Sequence, residues 1–262
     1  MIKVLISGAA GNMGKEVIRA ISKEDDLTLV GAVDLREVGK DAGEIAGIGK
    51  IKVLVANSLK ETIEKSKPEV MIDFTTPKAV RDNLNTALKS KLPCVVGTTG
   101  FDALALEEVK RLCSKYKVGA IICPNFALGA VLMMEFAKSA AKHFDHLEII
   151  ELHHDQKKDA PSGTAIKTAQ MVNEVKNFLP KSKKEKELIK GVRGGKVSNI
   201  CIHSVRLPGL VAHQEVIFGG RGQTLTIRHD STSRESFIPG VIMAIRHVRK
   251  LKGLTYGLEN LL

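Results

Sequence analysis

The sequence predicts an α/β protein of two domains, a doubly wound parallel sheet followed by an α+β domain with an open mixed sheet. The chain begins with a strand, a glycine-rich turn and a helix, and strand and helix patterns alternate up to about residue 126. Beyond that point, several strand patterns accompany two helices. With 262 residues, the chain exceeds the usual size of one domain. We place the first domain at 1–126, completed by a C-terminal helix at 234–262, and the second at 127–233.

The segment at 2–34 has the pattern of a β-α-β unit. An apolar strand at 2–6 runs into glycines, a helix begins at Met13, and a second apolar strand ends at Asp34. The glycines follow a GxxGxxG spacing, which departs from the commoner GxGxxG, and are Gly8, Gly11 and Gly14. Glycine is needed where the turn is tight, where the backbone approaches a pyrophosphate and where the helix packs on the strand. Because the motif follows a strand, opens a helix and precedes an acidic strand end, it predicts a Rossmann-like dinucleotide-binding domain rather than a turn with only a packing role.

Further strand patterns follow at 69–77, 92–100 and 118–126, separated by helical patterns at 77–89 and 102–116. Such alternation predicts a parallel sheet with helices on both faces. In open sheets of this kind, ligands bind outside the carboxyl ends of the strands. The polar and glycine residues at these ends are therefore candidate cofactor or substrate contacts, although each one alone could be a turn former: Thr75, Gly97, Thr98, Thr99 and Asn125.

The second half of the chain has a different organisation. Helical patterns at 128–144 and 162–178 flank a long strand at 146–154. Three strand patterns then follow in what we predict to be a meander, at 198–207, 212–222 and 224–231. A helical pattern at 233–251 most simply returns to the first domain. An open sheet with two helices on one face leaves its other face without a partner, so we predict a homo-oligomer built through that sheet.

The composition excludes several classes of protein. The formal charge is +11, from 40 Lys and Arg against 29 Asp and Glu, but the basic residues are spread out and two Tyr and no Trp offer little base stacking. We therefore predict no nucleic-acid partner and favour a small anionic ligand.

No apolar run approaches the roughly 18 residues of a membrane span, and the four cysteines lack metal-ligand spacing. We therefore expect no membrane partner and no metal. Because the N-terminus enters directly into a strand rather than a signal peptide, we also expect a cytoplasmic location. The densest basic run, at 181–190, is interspersed with glutamates and is typical of a solvated connection.

The segment ELHHDQKKDAPSGTA, at 151–165, joins a predicted strand to a predicted helix. It combines imidazole groups, ammonium groups and a helix start of small polar residues. Ser162 can cap the helix, while Gly163 and Thr164 present backbone N–H groups where the helix macrodipole is positive. The pattern predicts a carboxylate or phosphate cradle, and simple helix capping remains the alternative.

These motifs together resemble one family. GAAGNMG, DFTTP, GTTGF, PNFALG, HHDQKKDAPSGTA and SVRLPGLVAHQEVIFG occur in this order over essentially the whole length. The chain resembles the 4-hydroxy-tetrahydrodipicolinate (dihydrodipicolinate) reductases. The resemblance implies NADH- or NADPH-dependent reduction of a cyclic dicarboxylate to tetrahydrodipicolinate in the diaminopimelate and lysine pathway. It also implies a homotetramer whose C-terminal sheets meet.

The resemblance implies roles at matching positions. His153 corresponds to the family's proposed proton donor or acceptor and Lys157 to its proposed proton donor. The substrate-binding residues are expected to be His154, Ser162, Gly163 and Thr164. The cofactor-binding residues are expected to be Gly8, Ala9, Ala10, Gly11, Asn12, Met13, Asp34, Gly97, Thr98, Thr99, Cys123, Pro124, Asn125 and Phe126.

Two other functions remain open at this point. Another two-domain NAD(P)-dependent dehydrogenase of an amino-acid pathway would share the glycine turn, but it would need a different substrate loop. A non-catalytic dinucleotide sensor would lack a paired histidine and lysine. For the cofactor, Asp34 favours the free ribose hydroxyls of NADH, while Arg36 could pair with the phosphate of NADPH. We therefore predict use of both, with NADH at least equal.

Overall fold

The computed structural model describes residues 1–178 and 186–262, which form two compact units. The first unit comprises 1–126 and 237–262, and the second comprises 127–236. The first contains a parallel sheet and the second a mixed sheet, which confirms the predicted fold class. Of the predicted connection at 181–190, residues 181–185 lie outside the described ranges.

In the first unit, strands and helices alternate along the chain. The strands are β1 (Ile2–Ser7), β2 (Leu27–Val33), β3 (Val55–Ala56), β4 (Val70–Asp73), β5 (Cys94–Val96), β6 (Ala120–Ile122) and β12 (Leu254–Tyr256). The helices are α1 (Asn12–Ile21), α2 (Ala42–Ala46), α3 (Leu59–Ser66), α4 (Val80–Lys89), α5 (Ala103–Tyr116) and α8 (Ile238–Val248). Within the described ranges, the strand order is β12-β6-β5-β4-β1-β2-β3, and every pair is parallel.

The central strands of this sheet are buried along nearly their whole length. All residues of β4, β5 and β6 are buried, as expected for parallel strands covered on both faces. The sequence patterns missed α2, β3, α3 and β12, because elements of two to eight residues are too short to show a reliable period. The chain after α8 thus adds a strand beside β6, beyond the helix that we predict there. Arg246 of α8 also forms ion pairs with Asp26 and Glu24.

The second unit contains a mixed sheet with two longer helices. Its elements are α6 (Leu128–Ala140), β7 (His146–His153), α7 (Gly163–Val175), β8 (Gly195–Val197), β9 (Ile200–Arg206), β10 (Ala212–Gly220) and β11 (Gln223–Ser231). Over the described residues, the strand order is β11-β10-β7-β9-β8.

The predicted meander is therefore wrong at one connection. Strands β10 and β11 form the expected antiparallel hairpin, but β7 lies between β9 and β10 and pairs with both. Strand β9 runs parallel to β7, and β10 runs antiparallel to it. A pattern of alternating side chains indicates that a segment is a strand but does not reveal its neighbours. A buried central strand needs hydrogen-bond partners on both edges, and β7 obtains them from later parts of the chain.

The two faces of this sheet differ. Side chains alternate between faces along a strand, and those on one face are buried together with α6 and α7: Leu147, Ile149, Val216 and Phe218. The opposite face carries partly exposed apolar side chains, Ile150, Leu152, Val205 and Ile217. In the second unit by itself, the sheet thus has one covered face and one open face.

No helix in the described ranges is both long and apolar enough to cross a membrane.

Candidate functional site

The glycine turn after β1 depends on glycine for reasons that lie within the protein. Gly8 has a φ of +89°, and a Cβ atom there would lie 2.4 Å from the carbonyl oxygen of Phe74. A Cβ atom on Gly14 would lie 2.1 Å from the carbonyl oxygen of Gly8. The first glycine therefore permits the turn, and the last permits α1 to pack closely on β1.

The N-terminus of α1 is open to an anion. Its N-cap residue is Gly11, which has no side chain to cap the helix, and its first turn contains no acidic residue. The N–H groups of the first turn therefore receive no capping side chain, and the macrodipole favours a negative charge beside them. This geometry fits a pyrophosphate, which the backbone of the turn and of Asn12 and Met13 could hold.

Asp34 follows the end of β2 and contacts the glycine turn directly. One carboxylate oxygen accepts a hydrogen bond of 2.9 Å from the Ala10 N–H, and the other accepts one of 2.9 Å from the Arg36 N–H. The Arg36 Nε atom lies 3.5 Å from the second oxygen. Asp34 thus braces the turn that we predict to bind the dinucleotide, a local role that its position at a strand end did not reveal. Ala9 and Ala10 are buried, so their side chains support the turn from inside.

A second acidic residue, Asp73, organises the neighbouring strand ends. It is fully buried at the end of β4, and one oxygen accepts hydrogen bonds from the Thr75 N–H, from the Thr75 hydroxyl at 2.7 Å and from the Thr98 hydroxyl at 3.0 Å. The other oxygen accepts one of 2.8 Å from the side-chain amide of Asn83. One side chain thereby joins the ends of β4 and β5 to α4. Sequence reasoning missed Asp73, although an aspartate at the end of the apolar run EVMID was a visible signal.

The remaining residues predicted at this sheet edge differ in exposure. A Cβ atom on Gly97 would lie 2.0 Å from the Phe74 ring, and that ring lies 5.8 Å from the ring of Phe126. Cys123 is buried, which raises the pKa of its thiol to about 12, so it is a small apolar side chain and not a nucleophile. Thr99 and Pro124 are exposed, while Asn125 is partly buried.

The sheet order explains why these residues come together. Strands β5, β4, β1 and β2 are consecutive neighbours and parallel, so their carboxyl ends lie along one edge. That edge carries the glycine turn, Asp34, Asp73 and Gly97. The predicted contacts that follow β1, β2 and β5 are therefore neighbours in space, and those at 123–126 follow β6, which pairs with β5.

In the second unit, β7 ends at His153, and an acidic side chain two residues earlier organises the segment that follows. Glu151 is fully buried, and one of its oxygens lies 2.5 Å from the Nδ1 atom of His153. Arg206, at the end of β9, donates to both Glu151 oxygens, at 2.9 and 2.8 Å. The backbone N–H of Ser162 donates to one of them at 3.3 Å. Sequence reasoning missed both Glu151 and Arg206.

These contacts keep Glu151 ionised. Burial alone would raise the pKa of the Glu151 carboxyl, but hydrogen bonds from His153, Arg206 and Ser204 lower it to about 2. A carboxylate can only accept hydrogen bonds, so the Nδ1 atom of His153 carries the hydrogen between the two residues. The cluster therefore has a defined direction of donation at neutral pH.

Lys157 lies in the loop beyond the strand end. Its Nζ atom donates to both carboxylate oxygens of Asp159, at 2.7 and 2.8 Å, and this hydrogen bond lowers the pKa of Asp159. Arg206 also donates to the main-chain carbonyl of Asp159 at 2.8 Å. The loop that carries the lysine is thus attached to the same arginine that binds Glu151.

The start of α7 follows this loop. The Ser162 hydroxyl accepts a hydrogen bond of 3.2 Å from the Ala165 N–H, so this buried serine caps the helix. Gly163 is exposed, and a Cβ atom there would meet no atom within 4 Å. The protein's own packing therefore does not require glycine at this position. His154 is exposed, directly after the strand end.

Comparisons with known proteins agree over the whole chain. Residues 2–126 match the family described as "Dihydrodipicolinate reductase, N-terminus", and residues 129–262 match "Dihydrodipicolinate reductase, C-terminus". The 4-hydroxy-tetrahydrodipicolinate reductase of Syntrophomonas wolfei is 51% identical, and the match covers 99% of this chain and 98% of that protein. The enzyme of the same name from Listeria innocua is 51% identical, with 100% of both chains covered.

A solved structure agrees with this result. The dipicolinate-bound dihydrodipicolinate reductase from Paenisporosarcina sp. TG-14 is similar with a TM-score of 0.90 and 45% identity, and the match covers 100% of both chains. The parallel sheet with its glycine turn and the matching relatives define an NAD(P)H-dependent oxidoreductase. The chain belongs to the dihydrodipicolinate reductase family. The resemblance inferred from the ordered motifs is thereby confirmed.

Proposed function

We propose that this protein reduces 4-hydroxy-tetrahydrodipicolinate to tetrahydrodipicolinate with NADH or NADPH, in the diaminopimelate and lysine pathway. The observation that carries the proposal is the hydrogen-bonded cluster around Glu151, which joins His153, Arg206 and the capped start of α7 in a chain of this family. The reaction adds one hydride and one proton and releases one water. When bound, the dinucleotide supplies the hydride.

The dinucleotide is held at the carboxyl edge of the parallel sheet. The uncapped start of α1 receives the pyrophosphate, and Asp34 accepts hydrogen bonds from the adenosine ribose. The remaining contacts come from the strand ends and from the backbone of the turn: Gly8, Ala9, Ala10, Gly11, Asn12, Met13, Gly97, Thr98, Thr99, Cys123, Pro124, Asn125 and Phe126.

The substrate's carboxylates are held by the start of α7 and by His154. Because the side chain of Ser162 caps the helix, its contribution is to position the first turn. Gly163 leaves the N–H groups of that turn uncovered, which explains glycine at a position where the fold would accept a side chain. Thr164 adds a hydroxyl donor on the same turn.

His153 and Lys157 deliver and exchange the proton. Hydride addition leaves electron density on the substrate, which a cationic acid must neutralise. His153 is held through Nδ1 by Glu151, so its Nε2 atom is the one that faces this task. Lys157 must exchange its contact with Asp159 for the substrate, since both compete for the same ammonium hydrogens.

Both nucleotides serve as hydride donors, with NADH at least equal. Asp34 disfavours a phosphate on the ribose, but Arg36 lies next to it and is exposed, so it can turn towards that phosphate. A strong preference for NADPH in kcat/KM would contradict this assignment.

The active assembly is a homotetramer joined through the open face of the mixed sheet. The apolar side chains Ile150, Leu152, Val205 and Ile217 lie on that face, and association would remove them from water. Sedimentation of the full chain tests this proposal, and a monomer at micromolar concentration contradicts it. A cytoplasmic location stays a prediction, which cell fractionation tests.

A coupled assay tests the function itself. The full chain is incubated with the product of the preceding synthase and either NADH or NADPH, and oxidation of the nucleotide is followed. Turnover with both is expected. Nucleotide binding without turnover would instead support a dinucleotide sensor, and turnover with another amino-acid precursor would support a different dehydrogenase.

A further inference from the structure

Glu151 is a buried acidic side chain that does not itself deliver a proton in the proposed reaction, yet it joins three elements. Its two oxygens accept hydrogen bonds from the end of β7 (His153), from the end of β9 (Arg206) and from the start of α7 (Ser162). The carboxylate is fully buried. An unpaired buried charge is costly, and these contacts compensate the charge of the carboxylate.

The contact with His153 determines which ring nitrogen can exchange a proton with a ligand. The carboxylate accepts at Nδ1, so Nδ1 carries a hydrogen whether the ring is neutral or charged. The Nε2 atom is then the position that gains or loses the proton. The carboxylate is in direct hydrogen-bond contact with the ring, so a change of charge at Glu151 acts on His153 at close range.

Arg206 moderates this effect. Its guanidinium meets the Glu151 carboxylate through two hydrogen bonds, at 2.9 and 2.8 Å, which is the bidentate geometry that only arginine provides. The positive charge offsets part of the carboxylate's field at His153. The same side chain donates to the Asp159 carbonyl, so it also ties down the loop that carries Lys157.

We propose that Glu151 and Arg206 form a positioning pair that fixes the ring tautomer of His153 and, through their charges, controls proton transfer at its Nε2 atom. The inference rests on the proposed role of His153 in proton delivery. Neither member of the pair is assigned a contact with the substrate, so both act through the histidine. A pair that only supported the fold would change stability and kcat without moving the pH dependence.

Opposite charge changes at the two positions give the sharpest test. In Glu151→Gln, the charged ring loses its carboxylate. In a plot of kcat against pH, the fall in kcat at high pH (the basic limb) is therefore expected to move to lower pH. In Arg206→Gln, the carboxylate is no longer offset, so the limb is expected to move to higher pH. Each shift should be about one pH unit or more. Arg206→Lys keeps the charge and should restore a limb near that of the wild type.

A matched control is present on the same strand. Glu148 also contacts a histidine and an arginine, with its oxygens 2.6 Å from the Nε2 atom of His203 and 2.6 Å from an Nη atom of Arg193. Glu148→Gln therefore breaks a cluster of the same composition on the open face of the sheet, and sedimentation checks that the variant keeps the wild-type assembly. The basic limb should stay in place.

A second readout does not depend on turnover. Ring nitrogen shifts of His153, measured by NMR on the full chain labelled with 15N-histidine, should show hydrogen on Nδ1 in the wild type. Glu151→Gln should give a mixture of tautomers. If Glu151→Gln fails to fold, as judged by circular dichroism, the Arg206 variants still decide the question, because the limb should shift in Arg206→Gln and stay near the wild-type position in Arg206→Lys.

The outcomes separate this inference from the proposed function. Limbs and ring shifts that stay at their wild-type values in the Glu151 and Arg206 variants would overturn the inference. A His153→Gln variant that keeps wild-type kcat would instead overturn the proposed role of His153. In that case the ring shifts alone decide whether the pair fixes the tautomer.

Discussion

Asp73 in the first unit and Glu151 in the second are both fully buried acidic side chains near the carboxyl end of a strand, but their partners differ. The hydrogen bonds to Asp73 come from hydroxyl, amide and backbone N–H groups. Those to Glu151 come from a guanidinium group, an imidazole ring and a backbone N–H. One carboxyl group is surrounded by neutral donors and the other by groups that carry or gain charge.

The difference separates two tasks. Neutral donors hold the strand ends around Asp73 in one geometry, and their arrangement does not depend on a proton moving. The groups around Glu151 include an imidazole ring, which can gain or lose a proton, so geometry and protonation are coupled there. We infer that the first cluster positions a ligand and that the second positions a reacting proton. Substitutions in each cluster test this division.

Removing the proposed proton carriers should have the largest effect. His153→Gln and Lys157→Ala should each lower kcat by roughly a hundredfold or more, which is the usual scale of general acid catalysis. The affinity for NADH should hardly change, because neither residue belongs to the first unit. Initial rates and nucleotide titrations measure both quantities.

The adjacent Lys158 provides the control for the lysine. It is exposed, and Lys158→Ala removes the same charge one residue further on. Wild-type kcat is expected in this variant. Near wild-type kcat in both His153→Gln and Lys157→Ala would show that proton delivery lies elsewhere.

A change at Asp73 should act on stability and nucleotide binding. Asp73→Asn keeps the shape of the side chain but replaces one acceptor oxygen by an NH2 group. The hydrogen-bond donors around Asp73 then lose an acceptor in the protein interior. The free energy of unfolding should fall by about 2 kcal/mol, and the KM for NADH should rise. Asp82→Asn, on an exposed position of α4, is the control and should change stability by less than about 0.5 kcal/mol. Urea titration measures the free energy of unfolding of both variants. Equal values for the two would show that Asp73 does not stabilise the strand ends.

Thr164→Val should affect substrate binding alone. A hydrogen bond to a charged group contributes about 1.5–3 kcal/mol, so the KM for the substrate should rise about tenfold or more. The kcat should change little, because the lost contact holds the ground state and the transition state alike. Gln170→Ala, on an exposed position of the same helix, should leave KM unchanged. A fall in kcat at constant KM would assign Thr164 to the chemical step instead.

The smallest effect is expected for cofactor choice. Asp34→Asn removes the charge that repels a ribose phosphate, so kcat/KM with NADPH should rise relative to NADH by about fivefold, the equivalent of about 1 kcal/mol. The amide still offers an oxygen to the Ala10 N–H, which preserves the brace on the glycine turn. Measuring kcat/KM for both nucleotides in wild type and variant tests this. An unchanged ratio would mean that Asp34 serves the turn and not the choice of nucleotide.

More of the first unit than of the second could be predicted from the sequence. The glycine turn and the parallel sheet were predictable because each glycine answers a local steric need and the apolar runs are continuous. The placement of β7 between β9 and β10 was not, because strand pairing depends on distant segments. Glu151 carried a usable signal that we missed: it falls on the same face as Ile149, which marks a charged side chain directed into the core. Arg206 could not be recognised as its partner without the register of β7 and β9.

The return of the C-terminal segment to the first unit has a consequence for the order in which the protein is made. Residues 1–126 leave the ribosome well before β12 and α8, which complete the same unit. All strands of the second unit are synthesised in the interval, so that unit can close while the first still lacks its last strand. The edge of β6 therefore stays without its neighbouring strand until residues 254–256 have been synthesised.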